Sequence, residues 1–444
     1  MQKSTKQLLV ILVLITVFLF VGCNRAETDC IPDDYATLPT EPPEINGLPT
    51  NLRVTAVSAA AWHTLAILED GSLWGWGTHL FVSPDNWSSG EVSLPVQILD
   101  NIVLASAGEY HSLALSADGT LWAWGGNTWG QLGDGTLEAR PEPVTVLENV
   151  VYAAVAPVLS NSNVGYTARS FAITADGILW AWGANGGFDI SGYLGDGTAS
   201  GTSYSDGVWT EIDNNRHAPV QIMENVVSVT PTLDGGFATT ADGALWWWGS
   251  TRIYNEADSF WELGEPQLYP IMIADYADAP TFRHGWFDYQ IDEDGTLWTW
   301  GENSLPDEYG WGAFPLVGDG TTEPRAEPVR IKENIASVTV VGDAVFALGL
   351  DGNLWAWGLN SIGQLGDGTT EMRLAPVQIL ENVLYITANS YLDHGRVSFI
   401  NTFVITADGA LWAWGGHSFG AGLLGDGTEE HWLSPVHIMG GSGV

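Results

Sequence analysis

Catalytic and metal chemistry need particular side chains at particular spacings, and few such patterns occur in these 444 residues. The nine histidines are scattered, with no HxxxH or HExxH pair of the kind that sets two imidazoles on one helix face for zinc. Both cysteines, Cys23 and Cys30, lie near the N-terminus, so no metal site is expected. There is no Gly-x-Ser-x-Gly elbow, no Walker loop and no dinucleotide fingerprint, and hence no expected cofactor. Asp292-Glu293-Asp294-Gly295 opens like a calcium loop but lacks the third alternating ligand and the distal Glu. Carboxylate pairs for glycoside chemistry could be assembled from the 53 acids, but spacing selects no two of them.

Charge excludes more. With 53 acidic and 14 basic residues the formal charge is −39, so a phosphate backbone is repelled and no nucleic-acid partner is expected. A content of 45% hydrophobic and 11% aromatic residues nonetheless supplies a folded core. Residues 1–22 carry Lys3 and Lys6, then an apolar or small run from Leu8 to Gly22 broken only by Thr16. At about 1.5 Å per residue this run is too short for a ~30 Å hydrocarbon core, and it reads as a signal peptide. Phe20-Val21-Gly22-Cys23 resembles the lipobox of bacterial lipoproteins, which implies acylation of Cys23 and membrane attachment through that lipid. Residues 23–50, with Pro32, Pro39, Pro42, Pro43 and Pro49, suit an extended tether.

The elements that must position any site repeat. LWxWG-type pentads end at Gly77, Gly125, Gly183, Gly249, Gly301, Gly358 and Gly415, seven in all, each preceded by Asp-Gly. Five units add LGDGT or VGDGT, at 132–136, 194–198, 317–321, 365–369 and 424–428; units one and four lack it. An apolar stretch such as PVQIL follows each pentad. Asp-Gly between two alternating runs signals a tight hairpin with a type I′ turn, and flanking stretches complete four strands, a to d. The expected fold is all-β, a seven-bladed β-propeller of four-stranded blades over residues 51–444. Trp122 and Trp124, two apart on strand c, share a face, and the fourteen pentad tryptophans are read as scaffold. The GDGT aspartates recur and are read as turn-formers accepting backbone N–H bonds.

The run AGEYHSLALSADGTLWAWGGNTWGQLGDGT at 107–136 resembles the regulator of chromosome condensation repeat. The resemblance implies a seven-bladed propeller whose repeats are offset from the blades so that the two termini meet in one blade. Guanine-nucleotide exchange, the activity the family name implies, would apply only if the chain were not exported.

A residue demanded by the fold recurs in most units, whereas a binding group occurs once or breaks the pattern. Unit three has twenty residues, 199–218, between GDGT and Pro-Val where other units have six; further expansions fall near 157–168, 389–401 and between Gly301 and Gly318. All lie in a–b or c–d connections, which share one rim of an up-and-down ring. Tyr166, Arg169, Tyr204, Trp209, His217, Tyr309, Trp311, Tyr391, His394 and Arg396 are the aromatic or cationic residues expected to anchor a ligand there. The sequence thus reads as a monomeric, exported, lipid-anchored, non-catalytic propeller binding a protein or cell-envelope glycan. An envelope polysaccharide hydrolase or lyase and an inhibitor-like binder of a secreted enzyme are the alternatives.

Overall fold

The computed structural model describes residues 48–49, 51–78, 92–156, 168–186, 191–205, 208–232, 234–250, 252–255, 260–263, 266–273, 287–303, 316–393, 396–417 and 423–441. Seven antiparallel sheets follow one another along the chain, and together they form a seven-bladed β-propeller. Blade 1 is Val54–Ala59, His63–Leu68, Leu73–Gly77 and Val92–Leu99, in spatial order a-b-c-d. Five further blades repeat that order, and blade 5 shows three described strands, Phe287–Ile291, Leu297–Gly301 and Arg325–Lys332. The a strands of successive blades touch around the ring and are innermost; the d strands carry the exposed outer face. Among the described residues no blade combines strands from both ends of the chain, blade 1 being built from residues 54–99 and blade 7 from 383–440, so the two ends of the propeller do not share a blade as the resemblance implies. Blade 7 (Val383–Asp393 to Trp432–Gly440) closes against blade 1 by packing and hydrogen bonds instead.

The b–c turns also differ from expectation. The Asp of each Asp-Gly keeps a negative φ, and only the glycine is left-handed, for example Gly71 at φ 80° and Gly119 at 86°. Leu68 donates its N–H to the carbonyl of Ser72 at 3.0 Å, which leaves a three-residue loop with glycine at the bulge. Asp explains this choice: its carboxylate accepts the N–H two residues on, as in Ser72 to Asp70 at 2.9 Å and Thr120 to Asp118 at 3.1 Å. The glycine carbonyl then accepts the first N–H of the next blade: Ile102 to Gly71 at 2.8 Å, Val150 to Gly119 at 2.9 Å, and, closing the ring, Val54 to Gly409 at 2.8 Å. The d–a turns rely on asparagine in the left-handed region, at 101, 149, 225, 334 and 382, with φ of 58–62°.

The opposite rim is held by tryptophan. The second pentad Trp is fully buried in six blades, and in five it donates its indole N–H to the preceding blade. Trp182 bonds the Gln131 carbonyl at 2.9 Å, Trp248 that of Tyr193 at 3.0 Å, Trp357 that of Leu316 at 2.7 Å, Trp414 that of Gln364 at 3.1 Å, and Trp76 that of Leu423 at 2.9 Å. Each acceptor lies just before a GDGT loop. The first glycine of the loop lies against the indole: a Cβ on Gly133 would meet Trp182 at 2.7 Å, and one on Gly366 would meet Trp414 at 2.4 Å. The loop's aspartate is the turn-former expected, accepting Thr136 N–H at 3.0 Å in the case of Asp134. It also takes an arginine from strand d: Arg140 to Asp134 at 2.7 Å, and Arg216–Asp196, Arg325–Asp319 and Arg373–Asp367 at 2.5 Å. Burial pushes these carboxyls up, but the Thr hydroxyl and N–H and the guanidinium outweigh it and hold them below the usual range. In blade 7, Trp432 replaces the arginine and donates to Asp426 at 2.6 Å.

Units one and four lack GDGT, and the tryptophans that would use it show the consequence. Trp124 is buried with no partner for its indole N–H among the described residues, and Trp300 is only half-buried. Replacing Trp182 by Phe therefore removes one of the two hydrogen bonds that the Gln131 carbonyl accepts, whereas Trp124→Phe removes none among the described residues. Urea unfolding should show W182F less stable than W124F by about 1–2 kcal/mol, the net worth of a buried hydrogen bond.

Candidate functional site

The c–d and a–b connections share one rim, and three of them are elaborated there. In blade 3 the inserted residues form a hairpin, Gly201–Ser205 with Val208–Ile212, in which Tyr204 stands opposite Trp209. Its root is clamped by polar contacts: Asn214 donates its N–H to the Ser200 hydroxyl at 2.7 Å and its amide to the Ala199 carbonyl at 2.8 Å, while Asn185 N–H meets the Asn215 side chain at 2.8 Å. Blade 4 carries a second hairpin in the same connection, Arg252–Asn255 with Phe260–Leu263, and there Tyr254 stands opposite Trp261. Sequence reading misses it because unit four has no GDGT from which to measure an insertion. Its signal is a Tyr and a Trp in the register of the neighbouring hairpin. In blade 7 the 389–401 expansion lengthens strands a and b to eleven residues each, pairing Tyr391 with Phe399 and Asp393 with Arg396.

Two of the expected anchors are structural instead. Arg169 opens strand b of blade 3, Arg169–Thr174, and is fully buried, so it is no rim cation. It replaces the histidine of blades 1 and 2, where His63 Nε2 meets the Ser112 hydroxyl at 2.7 Å and His111 Nε2 meets that of Ser170 at 2.9 Å in the next blade. The guanidinium likewise crosses to the next blade, donating to the Thr232 carbonyl and lying 4.7 Å from the centre of the Tyr193 ring. Burial lowers its pKa to about 10, against the opposing influence of Tyr193 and Asp234. His217 lies on strand d of blade 3, its carbonyl accepting Gly135 N–H at 2.8 Å and its ring packed where a Cβ on Gly130 would sit. Both lie between blades. Tyr166, Tyr309, Trp311 and His394, with Cys23, lie outside the described residues.

The His111 contact fixes a tautomer. Ser170 donates its only hydroxyl proton to the Gln131 carbonyl at 2.9 Å, so His111 must donate from Nε2. Burial lowers its pKa to about 3, and the imidazole stays neutral. Two buried carboxyls go the other way. Glu109, in the a–b turn of blade 2, is raised to about 7 by burial, opposed by Tyr110 and Trp62; Asp343, in that of blade 6, is raised to about 8 by burial alone. Blades 7 and 1 stand between them, so they do not form the adjacent pair that glycoside hydrolysis uses. Among the described residues no three His, Cys, Asp or Glu side chains gather as metal ligands.

Sequence comparison bears on the repeats. The model of the regulator of chromosome condensation (RCC1) repeat matches residues 54–79, 102–131, 118–156 and 351–388. Over those residues the chain is similar to the RCC1 repeat. Two relatives from Arabidopsis thaliana are similar over part of their length: the mitochondrial RCC1 domain-containing protein RUG3, 26% identical over 199 residues, 42% of this chain and 39% of the relative, and the ultraviolet-B receptor UVR8, 24% identical over 152 residues, 33% and 31%. The chain thus matches well under half the length of these relatives. Two solved structures share the fold. Yeast RCC1 (Prp20) bound to Kap60 has a TM-score of 0.52 at 19% identity, covering 88% of this chain and 85% of that one. Prp20p of Saccharomyces cerevisiae has a TM-score of 0.50 at 18%, covering 90% and 87%.

The raised carboxyls give a pH test of the RCC1 ring. Between the ordinary carboxylate range and about 7 or 8, the folded state holds protons that the unfolded state has lost, so stability falls as pH rises. Glu109→Gln and Asp343→Asn should leave the melting temperature little changed at pH 5 and raise it at pH 8.5, flattening the decline measured by differential scanning calorimetry.

Proposed function

We propose that this protein is a non-catalytic RCC1-repeat propeller that binds a protein partner through the elaborated rim of blades 3, 4 and 7. The observation that carries this is the pair of hairpins on adjacent blades, each presenting a Tyr opposite a Trp one pair before its tip. Tyr and Trp dominate binding hot spots because they bring large contact area at small entropic cost. The hairpins stand in connections that the ring does not need for closure, since blades 2 and 6, whose c–d connections are described throughout, make them without hairpins. Prp20p of Saccharomyces cerevisiae binds Gsp1p and histones, which supports a protein as the class of ligand. A cell-envelope glycan is the other outcome.

The protein is proposed to be exported and held at the membrane by lipid on Cys23. The course of the chain supports this arrangement. Residues 51–53 reach strand a of blade 1 at the rim of the tight turns, where Arg53 donates to the Ala407 carbonyl at 2.7 Å. A tether leaving from there turns the hairpin rim away from the bilayer.

Mass analysis of the mature N-terminus should find a diacylated Cys23, and Cys23→Ala should move the protein from membrane to soluble fraction. A photo-crosslinking residue at 209 or 261 should capture a partner from envelope extract. In the pull-down, Tyr204→Ala with Trp209→Ala should reduce recovery at least tenfold; undiminished recovery from a folded variant overturns the assignment.

A further inference from the structure

On the opposite rim, the first pentad Trp of one blade meets the end of strand d of the blade before it, as at blades 3 and 4 and at blades 5 and 6. The latter shows what such a junction accepts. At blades 5 and 6, Lys332 ends strand d and sets its ammonium 3.3 Å from the centre of the Trp355 ring, and its charge helps hold the b–c turn Asp351 below the usual carboxylate range. The cation is thus held on an aromatic face.

At blades 3 and 4 the same set lacks the cation. Met223 stands at the position of Lys332, Trp246 at that of Trp355 and Asp242 at that of Asp351, with Glu224 beside them. These residues, with Ile222, Tyr269 and Pro270, line an open groove of about 610 Å³. Strand d of blade 4 widens its apolar wall by breaking the repeat. The residue before the strand-d proline is Leu94, Glu142, Ala218, Glu327, Ala375 or Ser434 in other blades and is Tyr269 here, 62% exposed. The residue opposite the first Trp is Gln, Thr, Arg or His elsewhere and is Met272 here, 66% exposed. Charge favours the same class of guest. The rim carries an Asp at every b–c turn and an Asp or Glu before each turn asparagine. Its own cations are engaged: Arg53 on a carbonyl, Arg330 on Glu333 and Lys332 on Trp355. Asp242 and Glu224 accept only neutral donors among the described residues, from Thr240 and Ala244 and from Gln221.

We infer that the groove between blades 3 and 4 is a binding site for a lysine or arginine side chain presented by a basic segment of a protein partner. The guest ammonium or guanidinium sits on Trp246 between Asp242 and Glu224, in the place Lys332 fills in its own junction. Tyr269 and Met272 cover the aliphatic stem and neighbouring apolar residues. The site is independent of the hairpin rim and faces the other way.

The test uses the full chain and a biotinylated peptide of alternating lysine and glycine with one benzoylphenylalanine, crosslinked at 0.15 M salt and mapped by mass spectrometry. Labelling is expected to concentrate on 266–273. Met223→Lys places an internal ammonium in the groove and should cut that labelling at least tenfold; Tyr269→Ser, at an exposed position, should cut it severalfold. Lys332→Met should create a second labelled site at blades 5 and 6. Thermal melting confirms that each variant is folded, and Tyr269→Ser carries the test if Met223→Lys is not. Labelling unchanged in the folded variants, or spread evenly over the acidic rim, overturns the inference.

Discussion

The ring depends on an indole lying over a glycine of the neighbouring blade. Trp182 over Gly133 shows why both residues are required. The glycine's φ of 77° suits a residue without Cβ, and a Cβ there would fall within 2.7 Å of the ring. The indole in turn is Trp, because its N–H has a partner in the buried Gln131 carbonyl, which a Phe could not use, and a buried hydrogen bond contributes about 1 kcal/mol. Burial of each indole removes roughly 150–250 Å² from water, so one side chain supplies both adhesion and register between sheets. The Asp–Thr pair of each GDGT loop, joined by an Arg in four loops and by Trp432 in the fifth, holds the loop in the shape that presents the carbonyl.

The two rims follow from this division of labour. The side of the b–c turns is laced by backbone: glycine carbonyls receive the first N–H of the next blade, and left-handed asparagines turn strand d into strand a. Such a lacing leaves little room for insertion. The other side is held by side chains reaching across from strand c, so the connections above them are free to lengthen, as they do in blades 3, 4 and 7.

Much of this is legible in sequence. Seven pentads with Asp-Gly before and a Pro-containing apolar stretch after specify seven sheets of strands in the order found, because alternation and turn chemistry act locally. Turn type is less legible: Asp-Gly is shared by two-residue and three-residue loops, and the carboxylate's bond to the N–H two residues on selects the longer. Arg169 was legible as a departure from the His-Ser pattern but not as a buried one, since only the fold reveals that the position it fills crosses to the next blade. The blade 4 hairpin hid for want of a landmark, and the groove at Trp246 needed three dimensions to bring Met223 and Tyr269, from different blades, to one place.

The unequal distribution of GDGT loops divides the circle. Among the described residues, junctions 1–2 and 4–5, at Trp124 and Trp300, show no such indole bond, whereas blades 2 to 4 and blades 5 to 1 are each bonded throughout. The molecule is mechanically two arcs, one of three blades and one of four. The first and last strands of the propeller meet inside the larger arc, at a bonded junction, so the break in the ring's covalent course and the weak seams do not coincide.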